Sequence, residues 1–201
     1  MTSQVDIYNM ALSHIGISET VQSLEERSKS RVTCSRFWDI ARDTLLCEFP
    51  WSFATKFQTL ALIGTPPSNW QFQYQYPTDC LKAMYLVPDG PTFQPMTIRQ
   101  RGKYITGFGE GGQIILSNVP NAQLAYVVRV LDEGRFPPLV VAALAWKLAS
   151  LIAMPMTAQK SLAESASAAY TQAWQVAGAA DQNEAQEDIL DANIDYISGR
   201  Y

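Results

Sequence analysis

Gly107-Phe108-Gly109-Glu110-Gly111-Gly112 matches the pattern G-x-G-x-x-G letter for letter. In a dinucleotide site such a loop joins a strand to a helix, so that the helix N-terminus meets the pyrophosphate. Here the residues that follow, Gln113-Ile114-Ile115-Leu116, form a strand pattern instead. The glycines therefore read as a flexible hairpin loop, which can also serve as a contact finger in an assembly.

Other chemistry is sparse. A serine or cysteine triad has to recruit His14, the sole histidine, and the amphipathic helix around it makes a structural role the expectation. The nucleophile-elbow, phosphate-loop and H-E-x-x-H patterns do not occur. The 3 cysteines stand at positions 34, 47 and 80 without a C-x-x-C pair. With one histidine they cannot assemble a zinc site of the usual spacing, and they read as reduced thiols of a cytoplasmic protein. Glu25-Glu26 and Asp132-Glu133 are the paired carboxylates. Glycoside hydrolysis needs two carboxyls facing each other across a sugar, one with a raised pKa. Sequence neighbours in polar loops do not imply that geometry and read as solvated. Trp70, Phe72, Tyr74 and Tyr76 alternate with glutamines. Such a row either stacks sugars or bases or forms the core face of a sheet. Exposure of Trp70 and Tyr74 favours the first and burial removes it. No catalytic residue, cofactor or metal is expected.

The elements that hold these residues fall in a simple order. Ser3 caps a helix running to about His14, with Gly16 beyond it. Ser28 or Ser30 starts a second helix, with Arg36, Asp39, Arg42 and Asp43 mostly on its polar face, and Pro50 ends it. Strands are expected at 53–63, through the aromatic row, at 81–87 closed by the turn Pro88-Asp89-Gly90, near 95–100, 103–106 and 113–117, and at 122–131, the last and longest. Closely spaced turns suggest an antiparallel meander. Pro137-Pro138 opens a third helix to about Ala153, apolar nearly all round despite Lys147, and ending at Pro155. Its apolar run, Leu139 to Met154, is short for a bilayer span of about 20 residues and reads as a core helix. Thr157 caps a fourth helix to about Ala179, with a small-residue stripe of Leu162, Ala166, Ala169, Ala173 and Val176.

The fold class is thus α+β. Two N-terminal and two C-terminal helices form an antiparallel bundle (1–50 and 137–180), and a β-rich domain (51–136) is inserted between them. The segment 181–201 is an acidic C-terminal arm. It carries Ile189, Leu190, Ile194, Tyr196 and Ile197, too few to form a core alone. It reads as a segment that orders on a partner or as a frayed tail.

Composition excludes several classes. With 47% hydrophobic and 17% charged residues, the chain has ample core material and too little charge for disorder. A net charge of −4 and no basic stripe argue against specific DNA binding, though an acidic wall can let DNA pass without sticking. The N-terminus lacks the basic and long apolar regions of a signal peptide.

Several stretches resemble the tail tubular protein A family, the head-to-tail adaptors or connectors of short-tailed bacteriophages. Ile7-Tyr8-Asn9-Met10-Ala11-Leu12 with His14-Ile15-Gly16 is similar to that family's opening helix. The run from Cys34 through Arg36, Trp38, Arg42 and Leu46 into Phe49-Pro50-Trp51-Ser52-Phe53-Ala54 resembles its arginine-rich helix and P-W-x-F-A turn. Tyr74-Gln75-Tyr76-Pro77-Thr78-Asp79-Cys80-Leu81 is similar to its Y-x-x-P-x-D-C segment. The apolar third helix, the alanine-rich fourth and the acidic tail complete the match, which is weakest over about 90–121.

The resemblance implies a virion tail protein assembled in the host cytoplasm. It implies a self-associated ring of twelve subunits joining the dodecameric portal to the tail tube or nozzle protein, with double-stranded DNA passing through unbound and no membrane involved. Ile189, Leu190, Ile194, Tyr196 and Ile197 would then bind the portal or a neighbouring subunit, and the 107–112 loop would face the tail. The competing expectations are a tail-associated cell-wall or polysaccharide hydrolase, which needs a convergent acid pair, and a carbohydrate-binding module using the aromatic row.

Overall fold

The computed structural model describes residues 2–87 and 101–184. The arm residues from 185 onward, and the strand and turn expected at 88–100, lie outside them. The described chain is α+β, with 4 α-helices and two small antiparallel sheets.

Helix α1 spans Gln4–His14. Its start is a capping box: Ser3 Oγ accepts from the Asp6 amide and Asp6 accepts from the Ser3 amide at 2.8 Å, so two otherwise orphaned donors are satisfied reciprocally. Helix α2 spans Lys29–Glu48, with Ser28 as its cap. Cys34, Trp38, Ala41 and Leu45 are buried at helical spacing and form the stripe that faces the core. Arg42 departs from expectation. It is buried, 5% exposed, because Asp39 at 3.0 Å and Asp43 at 2.9 Å neutralise it on its own helix. Arg36 is exposed.

The strands are β1 (Thr55–Thr59), β2 (Phe72–Gln75), β3 (Cys80–Val87), β4 (Tyr104–Gly109), β5 (Gly112–Ser117) and β6 (Gln123–Val128). They form two three-stranded sheets ordered β1-β6-β3 and β2-β5-β4, not a meander. Local turns favour meanders, but β6 pairs along its two edges with β1 and β3, both far back in the chain. Val127 joins the core shared with the helices, while Leu124 and Tyr126 join a second core with Leu60, Tyr74, Leu86 and Ile115. Period-two alternation on one strand thus glues the helical layer to one side of the first sheet and the second sheet to the other. The longest strand is β3 with 8 residues, not β6 with 6. The expected strand at 53–63 begins only at Thr55, since Ser52–Ala54 make a 3-10 turn closed by the Ala54 amide on the Trp51 carbonyl at 3.1 Å.

Helix α3 spans Pro138–Thr157 and continues through Pro155 into its last turn, ending at Ala158 in the left-handed conformation. Thr157 is therefore the end of α3 rather than the cap of the next helix. At 20 residues and a mean hydropathy of 1.9 this helix is long and apolar enough to cross a bilayer, so the length argument fails. Half of that window is buried inside the protein, packed against α1, α2 and α4. Helix α4 spans Lys160–Glu184, so the first residues of the expected arm are helical. Ala166 on the small-residue stripe is buried, but Val176 is 52% exposed, and Ala177 and Gly178 take its place against the core.

Polar links also cross between the helices and from α4 to the turn before β1. Lys147, the charge inside the apolar α3, pairs with Glu48 at 2.9 Å, and its ammonium lies 4.4 Å from the Tyr170 ring centre. The Tyr170 hydroxyl donates to the same carboxylate, joining α2, α3 and α4. Asp181, near the end of α4, accepts from the Ser52 amide at 3.0 Å and the Ser52 hydroxyl at 2.7 Å. Replacing Asp181 by Ala removes both bonds, and because Ser52 is exposed to water it should lower stability by about 1 kcal/mol. Replacing Tyr170 by Phe removes one bond to a charged group and should cost about 1 kcal/mol. Urea unfolding of the full chain checks both.

Candidate functional site

The sequence-predicted loop is a tight hairpin. β4 and β5 pair from Tyr104↔Ser117 through Gly109↔Gly112, leaving only Glu110 and Gly111 as the turn. Four residues of the expected flexible loop are thus strand. Gly112 has φ 113°, a conformation that L side chains rarely adopt. A Cβ on Gly109 would stand 3.3 Å from Ile114 Cγ2, so glycine there lets the strands close. Phe108 projects from this hairpin and is 84% exposed. Ile105 on the same strand is 47% exposed. β4 is an edge strand, paired among the described residues only with β5 apart from the bridge at Gly102 just before it. Between Tyr104 and Gly109 it carries no charge. Soluble proteins usually blunt such an edge with charge, proline or a bulge.

The hairpin is held from behind. Ser117 Oγ donates to the Lys103 carbonyl at 2.8 Å, and Tyr74, with no exposure, donates to the Val119 carbonyl at 2.6 Å. The aromatic row is therefore the core face of this sheet. Phe72 and Tyr74 stack with ring centres 6.1 Å apart, and Phe72 and Tyr76 pack on the second core. A row turned inward offers no platform for sugars. Trp70 lies outside β2 and is half-buried.

A second candidate is the shallow hollow of about 280 Å³ lined by Thr78, Asp79, Cys80, Leu81, Arg129 and Leu131. Its reactive groups are committed elsewhere. Asp79 accepts from Lys56 at 2.7 Å and from Tyr126 at 2.8 Å. Arg129 pairs with Asp43 at 2.9 Å. Burial pushes the Cys80 thiol up, and Cys47 likewise. Burial raises Cys34 to about 12. Thiols held protonated are poor nucleophiles and poor ligands. Among the described residues no group of three or more His, Cys, Asp and Glu could hold a metal ion.

The remaining expected acids and bases lie apart. Glu110 is exposed at the hairpin tip. Glu133 sits in a 3-10 turn capped by Asp132. Glu26 is held below the usual carboxylate range by the Ser28 hydroxyl and by backbone amides of Gln22 and Ser23, the reverse of what a general acid requires. His14 stacks on Trp146 with ring centres 3.6 Å apart, and burial lowers its pKa.

The third feature was missed in the sequence. A groove of about 730 Å³ opens between the end of α2, the first sheet and the end of α4. Phe57 and Tyr85 stand in register on either side of Ala125, on the sheet face that carries Val127 towards the helices. Phe57 is nevertheless 52% exposed and lines the groove. Only the cross-strand register reveals that juxtaposition.

No protein-family model matches the chain, and no curated protein matches it in sequence.

Asp79 gives a pH test. Burial works to raise its pKa, but the bonds from Lys56 and Tyr126 outweigh it, and the carboxyl is held below its ordinary 3.8. Its stabilisation is present above that value and lost as pH falls below it. Asp79→Asn should therefore differ most from the unaltered chain in urea midpoint at neutral pH, with the difference shrinking near about pH 3.

Proposed function

We propose that the chain is a structural adaptor, a ring subunit of a bacteriophage tail that joins the portal to the tail tube or nozzle and forms part of the DNA ejection channel, and not an enzyme. The observation that carries this reading is the braced β4–β5 hairpin. It presents a nearly fully exposed phenylalanine beside an uncharged strand edge that no other described strand pairs. Exposed apolar groups on a rigid support favour contact with another protein over soluble isolation.

Supporting this reading, the residues that carry the resemblance are structural hubs. Trp51 of the P-W-x-F-A turn has no exposure, and Asp79 of the Y-x-x-P-x-D-C segment ties β1 to β6. Motifs that hold a fold together suit a family whose product is a shape. A closed ring needs a heterologous contact in which one patch meets a different patch on the next copy. The hairpin edge is one such patch, and the helical layer supplies a different surface.

The partners are the portal dodecamer, the tail protein below and eleven further copies in a ring of twelve. The arm residues Ile189, Leu190, Ile194, Tyr196 and Ile197 would bind the portal side, and the hairpin tip the tail side.

Light scattering of the full chain, alone and mixed with its portal ring, tests the reading. The expected result is a monomer that joins the portal in stoichiometric number. Phe108→Asp should join the portal equally, melt within about 2 °C of the unaltered chain, and fail to recruit the tail protein. A full chain that leaves the portal ring unchanged in mass removes the adaptor role.

A further inference from the structure

The groove at the end of α4 has a property that the assembly role does not use. It is lined by Pro50, Phe57, Met84 and Tyr85, with Arg101 and Asp181 as its charged residues. The Arg101 guanidinium lies 4.1 Å from the Tyr85 ring centre, a cation–aromatic contact that fixes its plane. Its Nε is buried with no hydrogen-bond partner among the described residues. A buried donor left unmade is costly, and a carboxylate is the acceptor that best completes a guanidinium. Asp181, the acidic residue of the groove lining, already accepts from the Ser52 amide and hydroxyl.

The chain itself supplies an occupant. Helix α4 delivers Gln182 to the groove wall and ends at Glu184. Beyond it lie residues 185–201, with Glu187, Asp188, Asp191 and Asp195 against the single cation Arg200, and with the five apolar residues already named. From Glu184 an extended chain reaches Ile189 within about 18 Å. A tethered segment meets the groove at an effective concentration of order millimolar, far above that of a second copy in dilute solution.

We propose that residues 185–201 dock in the groove of their own chain, with a carboxylate of Glu187, Asp188 or Asp191 on Arg101 and the apolar side chains against Phe57, Met84 and Tyr85. The docked segment covers the part of the first sheet that the helices leave open. Any partner that binds the arm must first displace it. The inference stands apart from the assembly role and is testable without a portal.

The test uses the full chain with the photoreactive residue p-benzoylphenylalanine at position 57. After irradiation, gel mobility separates links within one chain from links between chains, and digestion at aspartate followed by mass spectrometry maps them. The expected result is a link to 185–201 at monomer mobility. Its yield should fall at least fivefold with Arg101→Glu and persist with Arg101→Lys, both variants melting like the parent. Ile194→Asp with Ile197→Asp should reduce it similarly. Links confined to other residues, or a yield indifferent to Arg101→Glu, overturn the proposal. Links at dimer mobility overturn it in favour of a second copy.

Discussion

The end of α2, the start of β1 and the last turns of α4 meet at two consecutive residues, Trp51 and Ser52. Trp51 has no exposure, and its indole donates to the Leu45 carbonyl at 2.9 Å, capping the helix that precedes it. Ser52 turns the chain and gives both of its donors to Asp181, 129 positions away. A helix end has unsatisfied carbonyls, and a turn has unsatisfied amides. One junction satisfies both and fixes where the sheets stand relative to the helices.

From that junction the layers follow. β1 leaves Ala54 and pairs with β6, which pairs with β3. β6 is buried on both faces, so it commits the helices to one side and the second sheet to the other. The second sheet, with Tyr74 and Ile115 locked in the core, carries the β4–β5 hairpin outward. The hairpin is therefore rigid at its base and exposed at Phe108. Binding energy at such a tip is not spent on ordering it.

The polar groups serve this frame. Lys147, Glu48 and Tyr170 join three helices around one carboxylate. Asp79, Lys56 and Tyr126 do the same among the strands. Arg101 and Trp174 are the exceptions, each with a buried nitrogen that the described residues leave without a partner. Arg101 lines the same groove as Gln182 of α4.

The amino-acid sequence by itself determined the four helices and the caps of the first two, though not the junction of α3 and α4, where Thr157 ends one helix instead of starting the next. Ser3 and Ser28 start α1 and α2 as local capping rules require, and apolar residues at helical spacing mark the buried stripes. It determined the hairpin as well, because a strand pattern follows the glycines. Local rules depend on neighbours in the chain, and these are visible in any sequence. Tertiary structure alone decided the strand order, since pairing β1 with β6 depends on contacts across the whole inserted region. It also decided which polar residues sit inside. Arg42 reads as a surface charge until Asp39 and Asp43 neutralise it. Asp181 reads as the first residue of an arm until Ser52 holds it in the helix. The groove likewise arises from the register of three strands and the point where the helices stop, and no spacing along the chain encodes either.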